Sequence, residues 1–223
     1  MKNVIPIFST PMYMSEDSYH LSEHEINTIK QLSGEALPNQ NKNYSTSTLK
    51  NSYLLDNYEI FSNLKKFIES NIENYTTKVM MIPKEKVGLT QSWLNYNTKE
   101  SGHHHHKHRN SIFSGIYYAK GTLESPTIFT RGSYFFDNWQ VDYSERNLFN
   151  AEEFTLALEP GKLVLFPSTL YHYVPENVMD MTRVTIAFNT FWNTNIGSDE
   201  SLTKLNFGNN KNAWYKRIDN GTP

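Results

Sequence analysis

Five of the eight histidines lie between His103 and His108, in the run Gly102-His-His-His-His-Lys-His108-Arg109. Imidazole is the commonest side-chain metal ligand, and His106 and His108, two residues apart, can both turn toward one ion. A further histidine, His172, stands in Phe166-Pro-Ser-Thr-Leu-Tyr-His172-Tyr-Val-Pro175. Two ligands close in sequence and a third from a distant strand leave open metal positions for a bidentate co-substrate and for dioxygen. A histidine run by itself is equally compatible with a solvated loop or an adventitious nickel binder. Beyond His172 comes Arg183-Val-Thr-Ile-Ala-Phe-Asn189. Read as a strand, this segment puts Arg183, Thr185, Ala187 and Asn189 on one face and Val184, Ile186 and Phe188 on the other. An arginine pointing into a sandwich needs an anionic partner. That partner is either a dicarboxylate ligand or a structural Asp or Glu.

Composition removes several competing chemistries. The chain has no cysteine, which excludes disulfides, thiolate zinc sites, iron–sulfur clusters and cysteine nucleophiles. A formal net charge of -2 gives no global attraction for nucleic acid or anionic membranes, so neither is an expected partner. No apolar run approaches the roughly 20 residues of a membrane-spanning helix, and Met1 to Thr10 lacks a signal-peptide layout. A cytoplasmic protein is expected, and the abundance of Asn and Lys suits a bacterial or phage genome of high AT content. His20-Leu-Ser-Glu-His24 matches an inverted zinc-protease pattern, but Ser22 reads as a helix cap, which keeps His20 and His24 off a shared helical face.

The elements that must position these residues are mainly β. Ser22 and Glu25 have capping-box spacing, and Leu21 and Ile26 the spacing of a hydrophobic staple, so a short helix is expected to run to Gly34 with Ile26, Ile29 and Leu32 buried. Asn39 to Lys50 reads as a loop. A second helix is expected from about Asp56, as its cap, with Ile60, Leu64, Phe67, Ile68 and Ile72 at helical spacing. After Pro83 the period becomes alternating, with strands expected at Gly88–Tyr96, Ile112–Ala119, Thr127–Thr130, Phe154–Leu158, Lys162–Phe166, Tyr171–Val174 and Arg183–Trp192. Helices followed by short strands without βαβ alternation predict an antiparallel jelly roll with helices outside it. One domain is expected over 1–223, with a helical flank at 1–83, the jelly-roll core at 84–196 and a tail at 197–223. The irregular stretch Arg131 to Ala151 is expected on the substrate side.

At these residues the sequence resembles the Fe(II)- and 2-oxoglutarate-dependent dioxygenases, and within them a bacterial and phage branch related to prolyl hydroxylases. The resemblance rests on HxH at His106 and His108, Ser114-Gly-Ile-Tyr-Tyr118, Pro160-Gly-Lys-Leu-Val-Leu-Phe-Pro167 through His172, and Arg183 to Asn189 in that order, with Ile7 to Tyr13 and Ser92 to Tyr96 before them. It implies a double-stranded β-helix in which His106 and His172 bind iron, with His106 preferred over His103, His104 and His105 by its offset from Ser114 to Tyr118. It further implies that Arg183, with Thr185 beside it, pairs with the distal carboxylate of 2-oxoglutarate, and that Tyr118 hydrogen-bonds the same group unless it is an aromatic of the core. Most of the superfamily carries a carboxylate where His108 stands, so His108 is either the third iron ligand or an orienting neighbour. The implied activity is hydroxylation, with Fe(II), 2-oxoglutarate and O2 consumed at the site and a prolyl or other peptidyl side chain as leading substrate. Two other readings remain: a three-His iron dioxygenase that does not use 2-oxoglutarate, and a metal-binding jelly roll without catalysis.

Overall fold

The computed structural model describes residues 3–34, 37–38, 46–48, 52–132 and 138–207. Two antiparallel sheets face each other. The larger has the order β1 (Tyr13–Met14), β9 (Leu163–Pro167), β6 (Phe113–Lys120), β11 (Arg183–Trp192), β4 (Val87–Asn97), β3 (Thr46–Ser47), β2 (Leu37–Pro38). The smaller runs β5 (His103–His106), β10 (Tyr171–Val174), β7 (Thr127–Thr130), β8 (Glu153–Leu156). The expected jelly roll is the architecture found. Helices α1 (Glu23–Ser33), α2 (Leu54–Asn57) and α3 (Ser62–Asn74) join the outer face of the large sheet. Their residues Ile29, Leu32, Leu64, Ile68 and Ile72 share a core with Leu94, Leu163, Leu165, Val184, Ile186 and Phe188. A second, smaller core of Ile116, Tyr118, Phe129, Leu156, Val164 and Phe166 lies between the sheets.

Strand β11 sits between β4 and β6, with Ala187 opposite both Trp93 and Ile116. Ladders on both sides pin its register, and side-chain alternation then sends Val184, Ile186 and Phe188 into the helix-covered core. Phe188 lies directly against the neighbouring strand. A Cβ on Gly115 would come within 2.2 Å of the Phe188 ring, so only glycine allows this approach.

The sequence reading of the elements needs three corrections. The capping box at Ser22 and Glu25 is formed, but Ile26 is exposed while Glu25 is buried and accepts from the Tyr19 hydroxyl at 2.9 Å. A buried hydrogen bond at the capping carboxylate turns the helix so that Ile26 faces out. The helix expected from Asp56 is broken into α2, a 3-10 turn at Glu59–Phe61 and α3. Asp56 is no cap: it lies inside α2 and pairs with Lys65, and Ile60 is exposed because the break changes the helical phase. Third, β5 and the two-residue β1, β2 and β3 were not among the expected strands, and β3 falls within the stretch read as a loop. The remainder of that loop, 39–45 and 49–50, lies outside the described residues, as do 208–223 of the tail.

Gly115→Ala forces the Phe188 ring out of its position, and overpacking of this kind costs about 1–3 kcal/mol. A lowered midpoint of denaturant unfolding is expected, and an unchanged midpoint would contradict the packing described.

Candidate metal centre

Three histidines converge where the two sheets open. His106 ends β5, His172 lies in β10 directly opposite it, and His108 follows β5, held by its backbone N–H donating to the Ser168 carbonyl at 3.0 Å. One ring nitrogen of each lies within 4.8 Å of those of the other two. Ring centroids are 4.4 Å apart for His106 and His172, 5.2 Å for His108 and His172, and 5.3 Å for His106 and His108.

In each ring Nδ1 is within hydrogen-bond distance of an acceptor: the His104 carbonyl at 2.7 Å for His106, the Leu170 carbonyl at 3.1 Å for His172 and Asn189 Oδ1 at 2.6 Å for His108. An acceptor at Nδ1 draws the proton there and leaves the Nε2 lone pair for a metal. Burial keeps all three neutral. It lowers His106 to about 4, His172 well below its ordinary value and His108 in the same direction. Neutral, oriented imidazoles are the donor set that a divalent transition ion requires, so these residues fit Fe(II). No Asp or Glu joins the cluster among the described residues, and Asp137, a conceivable carboxylate donor, lies outside them.

The His108 tautomer is set by a buried polar hub. Ser114 Oγ lies 3.0 Å from His108 Nδ1, 2.9 Å from Asn189 Oδ1 and 2.8 Å from Ser168 Oγ. Asn189 was legible only as a residue on the inward face of β11, and Ser114 only as part of a family block. Neither role could be assigned without knowing that β6 and β11 are neighbours.

A cavity of about 280 Å³ opens from the histidines. Arg183, Thr185, Ala187 and Asn189 all line it, so the face expected to be inward is inward. Trp93 and Asn95 of β4, Ile116 of β6 and Thr127 of β7 complete much of the wall. Arg183 is 2% exposed. Its Nε donates to the Ser125 carbonyl at 2.9 Å, one terminal nitrogen to Asn97 Oδ1 at 3.2 Å and more weakly to Thr185 Oγ1 at 3.5 Å, the other to Thr127 Oγ1 at 3.0 Å. Every acceptor is neutral. No carboxylate pairs with Arg183 among the described residues, which disposes of the structural ion pair there. Burial lowers this guanidinium to about 10, so it is still a cation at neutral pH. Its surroundings are also short of acceptors: Asn97 Nδ2 and Ser125 Oγ are buried without a partner among the described residues.

Tyr118 is fully buried, packed in the core between the sheets, and its hydroxyl donates to Thr127 Oγ1 at 3.1 Å. It stands behind Thr127, which itself faces the cavity. Thr127 accepts from both Tyr118 and Arg183, leaving its own proton for a third group. Sequence reasoning missed it because nothing local distinguishes it from an ordinary strand threonine. None of the described residues of 131–151, the stretch expected on the substrate side, lines this cavity. The stretch's own contacts hold it together, with Arg131 donating to the Leu148 carbonyl at 2.8 Å and Arg146 pairing with Glu152 at 3.0 Å.

Residues 91–189 match a family model described as "Putative 2OG-Fe(II) oxygenase". The matched segment carries His106, His108, His172 and Arg183, so the similarity to 2OG-Fe(II) oxygenases falls on the residues that build the site. No curated protein matches the chain. Among solved structures it is similar to the non-heme alpha ketoglutarate dependent carbocyclase SnoK from nogalamycin biosynthesis, with TM-score 0.58, 10% identity, and 96% of this chain and 89% of that one covered. HygX from Streptomyces hygroscopicus, with nickel, 2-oxoglutarate and hygromycin B bound, gives 0.52 at 10% identity, covering 82% and 83%. A Pseudomonas putida prolyl-4-hydroxylase gives 0.55 at 9% identity, covering 82% and 92%. At such identities these are likenesses of fold.

Two outcomes are expected of the site. Asn189→Leu removes the acceptor at His108 Nδ1, and loss of such an outer partner lowers metal affinity roughly 10–100-fold, readable by titrating the metal-free protein with Co(II). An unfolded chain takes up a proton at His106 near pH 6.5, the folded one only near 4, so acidification across that window favours unfolding. The metal-free protein should lose stability between pH 6.5 and 4, and His106→Gln should flatten that dependence.

Proposed function

We propose that the chain is a single-domain Fe(II)- and 2-oxoglutarate-dependent hydroxylase in which His106, His108 and His172 hold the metal and Arg183 holds the far carboxylate of 2-oxoglutarate. The observation that carries this is a buried guanidinium whose partners among the described residues are all neutral, on the wall of the cavity that contains the three histidines. When bound, iron and 2-oxoglutarate would supply an oxidation by O2, one oxygen atom entering succinate as the co-substrate loses carbon dioxide and the other hydroxylating a substrate C–H.

The protein's part is binding and orientation. Arg183 fixes one end of the co-substrate with charge-assisted hydrogen bonds, Thr185 stands beside it, and the free proton of Thr127, supported from behind by Tyr118, is available to the same carboxylate. Phe129 and Phe166, with ring centroids 5.7 and 5.0 Å from that of His172, shield the metal side from water, and Trp93 flanks His108 at 5.6 Å. With imidazole in place of a carboxylate at 108, the site is one charge more positive, which strengthens its hold on a dianion. The leading substrate is a prolyl or other peptidyl side chain, by analogy of fold with the prolyl-4-hydroxylase. The small molecules of the other neighbours make a free small molecule the next choice.

The all-imidazole set also supports a second reading, a three-His iron dioxygenase that does not use 2-oxoglutarate. Anaerobic Fe(II)-loaded protein titrated with 2-oxoglutarate separates the two. A visible charge-transfer band is expected in wild type. In Arg183→Ala, half-saturation should move up roughly 10–150-fold, the range for losing a hydrogen bond to a charged group. Bound iron without a band would refute 2-oxoglutarate as co-substrate and favour the second reading.

A further inference from the structure

The histidine run does more than supply His106. In the pairing of β10 with β5, His172 faces His106 and Val174 faces His103, so Tyr173 alone stands opposite His104 and His105. This bulge puts His103 and His106 on the same side although they are three residues apart, which regular alternation would forbid. His105 turns the other way: its ring stacks on Tyr171 at 4.9 Å and its Nε2 lies 2.6 Å from Thr130 Oγ1. His103, His104 and His106 are left together, with ring centroids 4.5, 4.7 and 5.2 Å apart and one nitrogen of each within 4.8 Å of the others. These spacings match those of the His106, His108 and His172 cluster. Both His103 and His104 line the cavity.

We propose that His103, His104 and His106 form a second transition-metal site that competes with the first for His106. Three imidazoles without a carboxylate suit Zn2+, Ni2+, Co2+ or Cu2+. The Nδ1 of His106 is engaged by the His104 carbonyl at 2.7 Å, so one nitrogen remains and it can serve one ion at a time. An ion held by His103 and His104 therefore takes His106 away from His108 and His172. Excess zinc or nickel becomes an antagonist of iron at a position that shares only His106 with the triad. The inference rests on the histidine geometry and holds whether or not 2-oxoglutarate is the co-substrate.

Zinc alone, titrated into the metal-free full chain against a chromophoric chelator, tests it. His172→Ala, or His172→Gln if the smaller side chain impairs folding, removes the triad and should still bind one equivalent. His103→Gln with His104→Gln should also bind one, and the combination of all three substitutions none. Adding His106→Gln to the His172 variant should weaken zinc roughly tenfold or more, since loss of an outer partner alone costs that much. Wild type should bind one equivalent tightly, not two. No zinc in the His172 variants would overturn the proposal, as would two tight equivalents in wild type. Binding in the His172 variant that ignores His106→Gln would mean adventitious capture by the run only. Zinc lost from the His103 and His104 variant alone would instead count against the triad.

Discussion

A guanidinium buried in the interior with four neutral acceptors and, among the described residues, no carboxylate keeps its charge uncompensated, and much of the surrounding architecture answers to that fact. Arg183 is carried by the first residue of β11, whose ladders to β4 and β6 give it no freedom to turn outward without breaking the register. Thr127 from the opposite sheet and Asn97 from the neighbouring strand both accept from it. Leaving such a charge unpaired is costly, and a dianionic ligand bridging it to a metal removes the cost. The same cation that is a liability to folding is the group with which the far carboxylate of the proposed co-substrate would pair.

The metal end follows a different logic. There burial keeps imidazoles neutral, and carbonyl and amide oxygens fix which nitrogen faces inward. The hub of Ser114, Ser168 and Asn189 ties His108 to both β6 and β11 of the large sheet, while His106 and His172 ride on the small one. The triad therefore exists only when the two sheets are correctly packed. The two cores divide the work. The helix-covered core, with Phe188 seated against Gly115, holds β11 in place, and the smaller one, built around Phe129 and Phe166, closes the sandwich behind His172.

Much of this was legible in residue order because it depends on local periodicity. The alternation from Arg183 to Asn189 read directly as one cavity face and one core face, and the capping box at Ser22 read as a helix start. What escaped depends on contacts between distant residues. The bulge that turns His103 toward His106 is a property of the pairing with Tyr173, invisible in a run of identical side chains. Thr127 and Asn97 become partners of Arg183 only through the sheet arrangement. Ile26 and Ile60 fit helical stripes yet are exposed, because a buried Glu25 and a break after α2 reset which side of each helix faces the sheet. His106, His108 and His172 were picked out by type and spacing, and the fold brings them together.

The central claim is that the cavity is built for a ligand with a second carboxylate far from the metal. The most direct measurement is calorimetric binding of 2-oxoglutarate and of 2-oxobutyrate, which lacks that carboxylate, to anaerobic Fe(II)-loaded protein. A hydrogen-bonded charged group contributes about 1.5–3 kcal/mol, so 2-oxoglutarate should bind roughly 10–150-fold more tightly, and the gap should collapse in Arg183→Ala. Equal affinities in the wild-type protein would contradict the account.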